Sequence, residues 1–266
     1  MSFTKITYDV EGDIATISLN DPATMNAAGI DTVEELAQAL DQAADDARCT
    51  ILTGTGRGFC SGANLGAVSV RKEAGSTAPS KMDAGLALDT HYNPLILAMK
   101  EHPHPIITAV NGAAAGVGCS IALMGDIIIA AESAYFLQAF RRIGLVPDGG
   151  STYLLPRVLG RARAMEMALM GDKLPAPKAL EWGLVNQVVA DDQLMATAHN
   201  AADKLAKGPT QALALMRGLI WDAEDTDFES QLRKERVAQR AAGRTTDFRE
   251  GVSAFLEKRP AAFTGR

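Results

Sequence analysis

The residues of this 266-residue chain that could do chemistry together lie on three glycine-rich turns. The last, Ile143-Gly144-Leu145-Val146-Pro147-Asp148-Gly149-Gly150-Ser151-Thr152, sets one carboxyl between an apolar segment and a helix-like stretch. The middle one is Asn111-Gly112-Ala113-Ala114-Ala115-Gly116-Val117-Gly118-Cys119-Ser120, and the first runs from Gly54 to Leu65 through Gly62. Glycine lets a ligand approach the backbone closely. A helix N-terminus adds unbonded N–H groups and partial positive charge. The three turns together could hold an oxyanion on backbone N–H groups while Asp148 moves a proton, which is the chemistry of an acyl-thioester enolate. Plainer readings compete: tight strand-to-helix connections for the first two, and an Asx-turn or helix N-cap for Asp148.

Other chemistries fit less well. A dinucleotide fingerprint starting at Gly116-Val117-Gly118 needs a small residue at position 121, which is Ile121. No Lys-Ser/Thr pair follows, so the turn is not a phosphate-binding P-loop. Gly118-Cys119-Ser120-Ile121-Ala122 matches a serine nucleophile elbow only loosely, and none of the four histidines (His91, His102, His104, His199) is placed by sequence to serve Ser120. The His102-Pro103-His104-Pro105 run reads as a rigid loop, without a spaced carboxylate or cysteine to complete a metal site.

Elements that could position these turns are legible on either side of them. Residues 5–10 and 14–19 alternate around Gly12-Asp13, which predicts a β-hairpin. Val33, Leu36, Ala37 and Leu40 share one face of a helix over 31–44. Strands are expected at 50–53, 106–110 and 127–131, with helices at 88–100 and 116–124 between them. This β–α alternation implies parallel pairing with helical crossovers. The polar segment 69–84 predicts a mobile loop or frayed helix near the site. After Gly149 the chain turns mostly helical, with helices near 149–158, 161–170, 176–181, 192–206, 209–222, 227–242 and 246–256 and one strand at 187–189. A boundary near residue 200 divides an α/β core (1–200) from a helical C-terminal region (201–266), whose apolar faces predict subunit contacts.

Composition bounds the rest. A net charge of −6 without a basic block argues against nucleic acid as a partner. Three cysteines (Cys49, Cys60, Cys119), without a close pair, fit a reduced cytoplasmic protein better than a disulfide scaffold. The N-terminal residues lack a signal-peptide core, and the apolar runs are far shorter than the roughly 20 residues of a membrane span.

In order and spacing, these segments resemble the enoyl-CoA hydratase/isomerase, or crotonase, superfamily over nearly the whole chain. The resemblance is carried by Asn26-Ala27 after the hairpin, FCSGANL at 59–65, AVNGAAAGVGCSIAL at 109–123, AESAYFLQAF at 131–140, IGLVPDGGSTYLLPRVLG at 143–160 and EWGLVNQVV at 181–189. It implies a crotonase-like α/β spiral of ββα units, a helical C-terminal region building a homotrimer or hexamer, and an acyl-CoA substrate, with no separate cofactor and no metal. Carried over residue by residue, it puts the oxyanion hole on the backbone N–H groups of Ala63 and Val117. It sets Ala27, Ser61, Asn64 and Leu65 along the CoA, Phe140 and Leu145 in the acyl pocket, and Asp148 as the catalytic group. Arg57 and Lys258 are candidates for the CoA phosphates.

Departures from the pattern narrow the reaction. The two glutamates of the family's hydratases fall at Ser120 and Phe140, and neither is acidic. The surroundings of Asp148, with HYNPLI at 91–96, are most similar to the isomerase branch related to phenylacetate catabolism. Aryl-CoA dehalogenases also place an Asp at this spot but use a histidine where this chain has Asn93. The resemblance therefore implies conversion of a 3-enoyl-CoA to a 2-enoyl-CoA, with Asp148 as proton shuttle. The alternatives are a hydratase in which Asp148 activates water and a non-catalytic acyl-CoA- or RNA-binding relative.

Overall fold

The first alternating runs form the hairpin: β1 (Ile6–Glu11) pairs antiparallel with β2 (Ile14–Leu19), which buries Ala15, Ile17 and Leu19. A computed structural model describes residues 3–64 and 83–266. Leu65 and most of the expected 69–84 loop lie outside the described residues. The amphipathic stretch becomes α1 (Ile30–Asp46), with Val33, Leu36 and Leu40 inward. Then come β3 (Cys49–Gly54) and β4 (Gly58–Cys60). A wide turn over Leu88–Tyr92 leads into α2 (Asn93–Glu101). Next are β5 (Ile106–Val110), β6 (Ala113–Ala115) and α3 (Val117–Leu123), and then β7 (Ile127–Ala131) and β8 (Tyr135–Leu137).

Two sheets result. The larger has the order β1-β2-β3-β5-β7-β10 and is parallel except for the first pair. The smaller, β4-β6-β8-β9, is parallel except for its last pair. Each of the pairs β3–β4, β5–β6 and β7–β8 gives one strand to each sheet, so the chain winds as a spiral of ββα units. β5 is buried throughout and β3 nearly so, without the alternation of a half-exposed strand, and the threonines they bury include Thr53 and Thr108, which bond the Ala109 and Ala122 carbonyls. The three-residue strands β4, β6 and β8 are too short to show a period of their own. The neighbouring parallel strand makes them strands.

The remainder is α4 (Ser151–Leu159), α5 (Arg161–Met170), β9 (Leu174–Pro175), α6 (Ala176–Trp182), β10 (Gln187–Val189), α7 (Leu194–Ala206), α8 (Thr210–Ala223), α9 (Phe228–Ala242) and α10 (Thr246–Glu257). The boundary expected at residue 200 falls inside α7, which packs on β3, β5 and β7. α8 is fastened by Arg217, a buried side chain. It pairs with Asp126 at 2.8 Å and donates to the carbonyls of Met99, Lys100 and His102 at the end of α2. The His-Pro-His-Pro loop lies beside this anchor, its two rings edge-on at 4.2 Å; burial pushes the His102 imidazole down to about 3, so it stays neutral. Ile220, Phe228, Val237, Phe255 and Leu256 leave large apolar faces of α8–α10 exposed. No helix among the described residues is long and apolar enough to cross a membrane.

Candidate active site

β4 and β6 run parallel and side by side, so their C-terminal ends deliver the first two glycine turns to one place. Gly62 holds a φ of +107°, and a Cβ there would lie 3.0 Å from the Ala115 carbonyl oxygen and 3.8 Å from the Gly116 Cα. Neither that conformation nor that contact suits a side chain. The next peptide presents Ala63, and after Gly116 the chain enters α3 with Val117 as its first helical residue. Among the described residues, no acceptor meets the N–H of Ala63 or of Val117. For Val117 the helix geometry requires this, since the first N–H groups of a helix have no intrahelical partner.

The segment beside Ala63 is held from below. Ala28 donates to the Gly62 carbonyl at 2.8 Å and forms an isolated parallel bridge with Ala63. Buried Asn26 donates to Thr55 and Gly58 carbonyls at 2.9 and 2.7 Å, and the Tyr92 hydroxyl donates to the Ala28 carbonyl at 2.6 Å. Ser61 reaches the Thr24 carbonyl at 2.8 Å, and Ala27 donates its N–H to the Thr24 hydroxyl at 3.2 Å. Ala27, Ser61, Ala63 and Asn64 therefore sit on adjoining segments. Arg57 is exposed, and Lys258 is the left-handed cap of α10; no hydrogen bond or ion pair joins them. Tyr92 and Asn26 were not singled out from sequence as site-builders. Asn26 carried a signal in its motif, whereas Tyr92 had none, because its partner is a backbone carbonyl 64 residues away.

The third turn folds onto α3. Gly149 has a φ of +56°, and a Cβ on it would lie 2.7 Å from the Ser120 Cβ and 3.4 Å from Val117 Cγ2. Close approach therefore brings Asp148 beside the residue whose N–H opens α3. The Asp148 carbonyl accepts from Ser120 Oγ at 2.8 Å, from Ser151 Oγ at 2.9 Å and from the Ser151 N–H at 3.1 Å. Its side chain does not cap the helix: α4 is preceded by Gly150 and receives no side-chain cap bond. Asp148 Oδ1 is buried without a hydrogen-bond partner among the described residues. Burial pushes the carboxyl up to about 6. Its charge also contributes to pushing the Tyr92 phenol up to about 12, after burial as the larger cause.

Phe140, 6% exposed, lies with its ring tip 3.9 Å from where a Gly116 Cβ would be. Leu145 stands 45% exposed and donates its N–H to the Phe140 carbonyl at 3.1 Å. Among the described residues, the arrangement offers two free backbone donors on adjoining turns and a desolvated carboxyl without a hydrogen-bond partner at Oδ1, on a turn packed against Val117. Such a site can hold negative charge on an oxygen while one group takes and returns a proton.

Comparison with known proteins agrees in extent. The family described as Enoyl-CoA hydratase/isomerase matches residues 9–266. The chain is 48% identical over 259 residues to 1,2-epoxyphenylacetyl-CoA isomerase of Escherichia coli (strain K12), covering 97% of each. It is 42% identical over 266 residues, the full length of both, to a Rhodobacter capsulatus protein named "Probable enoyl-CoA hydratase". The solved structure of an enoyl-CoA hydratase subunit I from Geobacillus kaustophilus HTA426 has a TM-score of 0.90 at 30% identity, covering 99% of each chain.

Proposed function

The chain belongs to the enoyl-CoA hydratase/isomerase family, and from that premise we propose that it is an enoyl-CoA isomerase that shifts a 3-enoyl-CoA double bond to the 2-position with Asp148 as the single proton carrier. The thioester oxygen accepts from the N–H groups of Ala63 and Val117. Ionised Asp148 takes a proton from C2; the C2–H pair becomes the C1=C2 bond of a dienolate, and charge moves to the thioester oxygen. The protonated carboxyl then gives the proton to C4 while the C2=C3 bond forms and the carbonyl is restored. C2 and C4 are about 2.5 Å apart, so a small carboxyl motion serves both. Losing one oxyanion donor typically costs about 2.7–4 kcal/mol of transition-state stabilisation. Ala27, Ser61, Asn64 and Leu65 are assigned to the CoA, Phe140 and Leu145 to the acyl group, and the apolar faces of α8–α10 to subunit contacts in a trimer or hexamer.

The observation that carries this reading is the desolvated carboxyl of Asp148, with Ser120 and Phe140 standing where the family's hydratases carry their two glutamates. Water addition asks one group to activate water and another to protonate carbon. A transfer between two carbons of one substrate asks for one group only. A second reading, isomerisation of a ring epoxide, is favoured by the 48% identity to 1,2-epoxyphenylacetyl-CoA isomerase. There the epoxide carbon is β to the thioester, so the same α protons would face Asp148. The test is a paired assay of 3-hexenoyl-CoA and crotonyl-CoA with wild type and Asp148→Ala. Conversion of the 3-enoyl substrate, lost in the variant, supports the isomerase. Hydration of crotonyl-CoA that is indifferent to Asp148→Ala overturns it.

A further inference from the structure

We propose that Ser120 is a positioning residue for Asp148: its hydroxyl fastens the turn that carries the carboxyl to the same turn of α3 that carries the Val117 N–H. This rests on the proton-carrier reading of Asp148. Three bonds converge on the Asp148 carbonyl. The two from Ser151 close the turn on itself. The one from Ser120 joins it to another element, across 28 residues of chain. Ser120 is wholly buried, so its hydroxyl has no water to turn to. Gly149 packs directly over Ser120 and Val117, which leaves the turn little slack once the bond is made.

The consequence is geometric. Val117 is the first residue of α3 and Ser120 lies three residues on, within the same turn, so both belong to one rigid segment. Negative charge held at Val117 and the proton carried by Asp148 must keep a fixed separation for one carboxyl to serve C2 and C4. A serine at this position thus has a role of its own: it fixes the distance between the two halves of the site. It also keeps the turn pressed inward, where the carboxyl is poorly hydrated. Among the described residues, burial pushes the Tyr92 phenol up to about 12, the Cys119 thiol on α3 up to about 12 and the Cys60 thiol on β4 up to about 11, so none of these three titrates in the working range.

The experiment compares Ser120→Ala and Ser120→Thr with wild type in 3-enoyl-CoA isomerisation and in thermal melts. In Ser120→Ala, kcat falls about tenfold, the size expected for one hydrogen bond, KM stays within about twofold, and the rising limb of kcat/KM moves to lower pH as the carboxyl hydrates. Ser120→Thr, which keeps the hydroxyl, recovers kcat to within about threefold and returns the limb to its wild-type position. The melts need no substrate: the melting-temperature gap opened by Asp148→Asn at pH 8 is smaller in the Ser120→Ala background than in wild type. Loss of that gap difference overturns the fastening whatever reaction the enzyme runs. Absence of isomerisation in wild type with the gap difference intact overturns the isomerase reading alone. Equal kcat losses in both variants with an unmoved limb reduce Ser120 to packing and overturn the proposal.

Discussion

Replacing Asp148 by Asn should make the protein more stable at pH 8 while removing its activity. Burial pushes this carboxyl up to about 6 from an ordinary 3.8, so above that pH the folded chain holds a charge it solvates poorly. Roughly two tenfold steps in acidity correspond to at most about 3 kcal/mol. The group retains partial access to water, and screening cuts that to about 1.5 kcal/mol. An unbonded amide at the position of Oδ1 takes back a few tenths to about 1 kcal/mol. A net gain of about 1 kcal/mol raises the melting temperature by about 2–3 °C in a chain of this size. The dependence on pH has a definite sign. Because the folded value is the higher one, the wild type is relatively most stable below the unfolded value and loses stability as pH rises from about 3.8 through about 6. The Asn variant has no such loss, so the gap is full at pH 8, narrows below about 6 and reverses near pH 3.5, where only the cost of the unbonded amide remains. Thermal melts of both proteins across that range measure it. An Asn variant that melts below wild type at pH 8, or a gap equal at both ends, would refute desolvation as the origin of the shift.

The same carboxyl sets the rate profile: kcat/KM for a 3-enoyl-CoA should rise through about pH 6 and level off above 7, and a fall through that range would assign Asp148 the role of an acid instead. Gly62→Ala forces a side chain into a φ of +107° and against the Ala115 carbonyl, displacing the Ala63 peptide. A kcat loss of about 100-fold or more is expected, with acyl-CoA binding by calorimetry weakened far less. Arg217→Ala leaves Asp126 unpaired and the end of α2 uncapped. It should destabilise the protein by about 3–5 kcal/mol in urea unfolding, and a change under 1 kcal/mol would show that α8 does not depend on this anchor.

The sequence alone determined the elements whose signal is local. The hairpin and the amphipathic α1 are visible in periodicity, the strands at 106–110 and 127–131 as short apolar runs, and the helices from α4 to α10 in their own local pattern, because each signal lies within the element's own residues. Glycine spacing also marked the three turns, and resemblance joined them into one site. The short strands β4, β6 and β8 could not be seen, since three residues carry no period; they exist because a parallel neighbour pairs with them. Nor could the sequence choose between a catalytic and a capping Asp148, because both readings need the same residue on the same kind of turn. Tertiary structure decided that Gly150, not Asp148, precedes α4, and that Gly149 brings the Asp148 turn against Ser120 and Val117. It also left Asp148 Oδ1 without a partner among the described residues. That burial, which comes with the packing of the 148–150 turn against α3, raises the carboxyl toward neutrality. No single stretch of chain contains it.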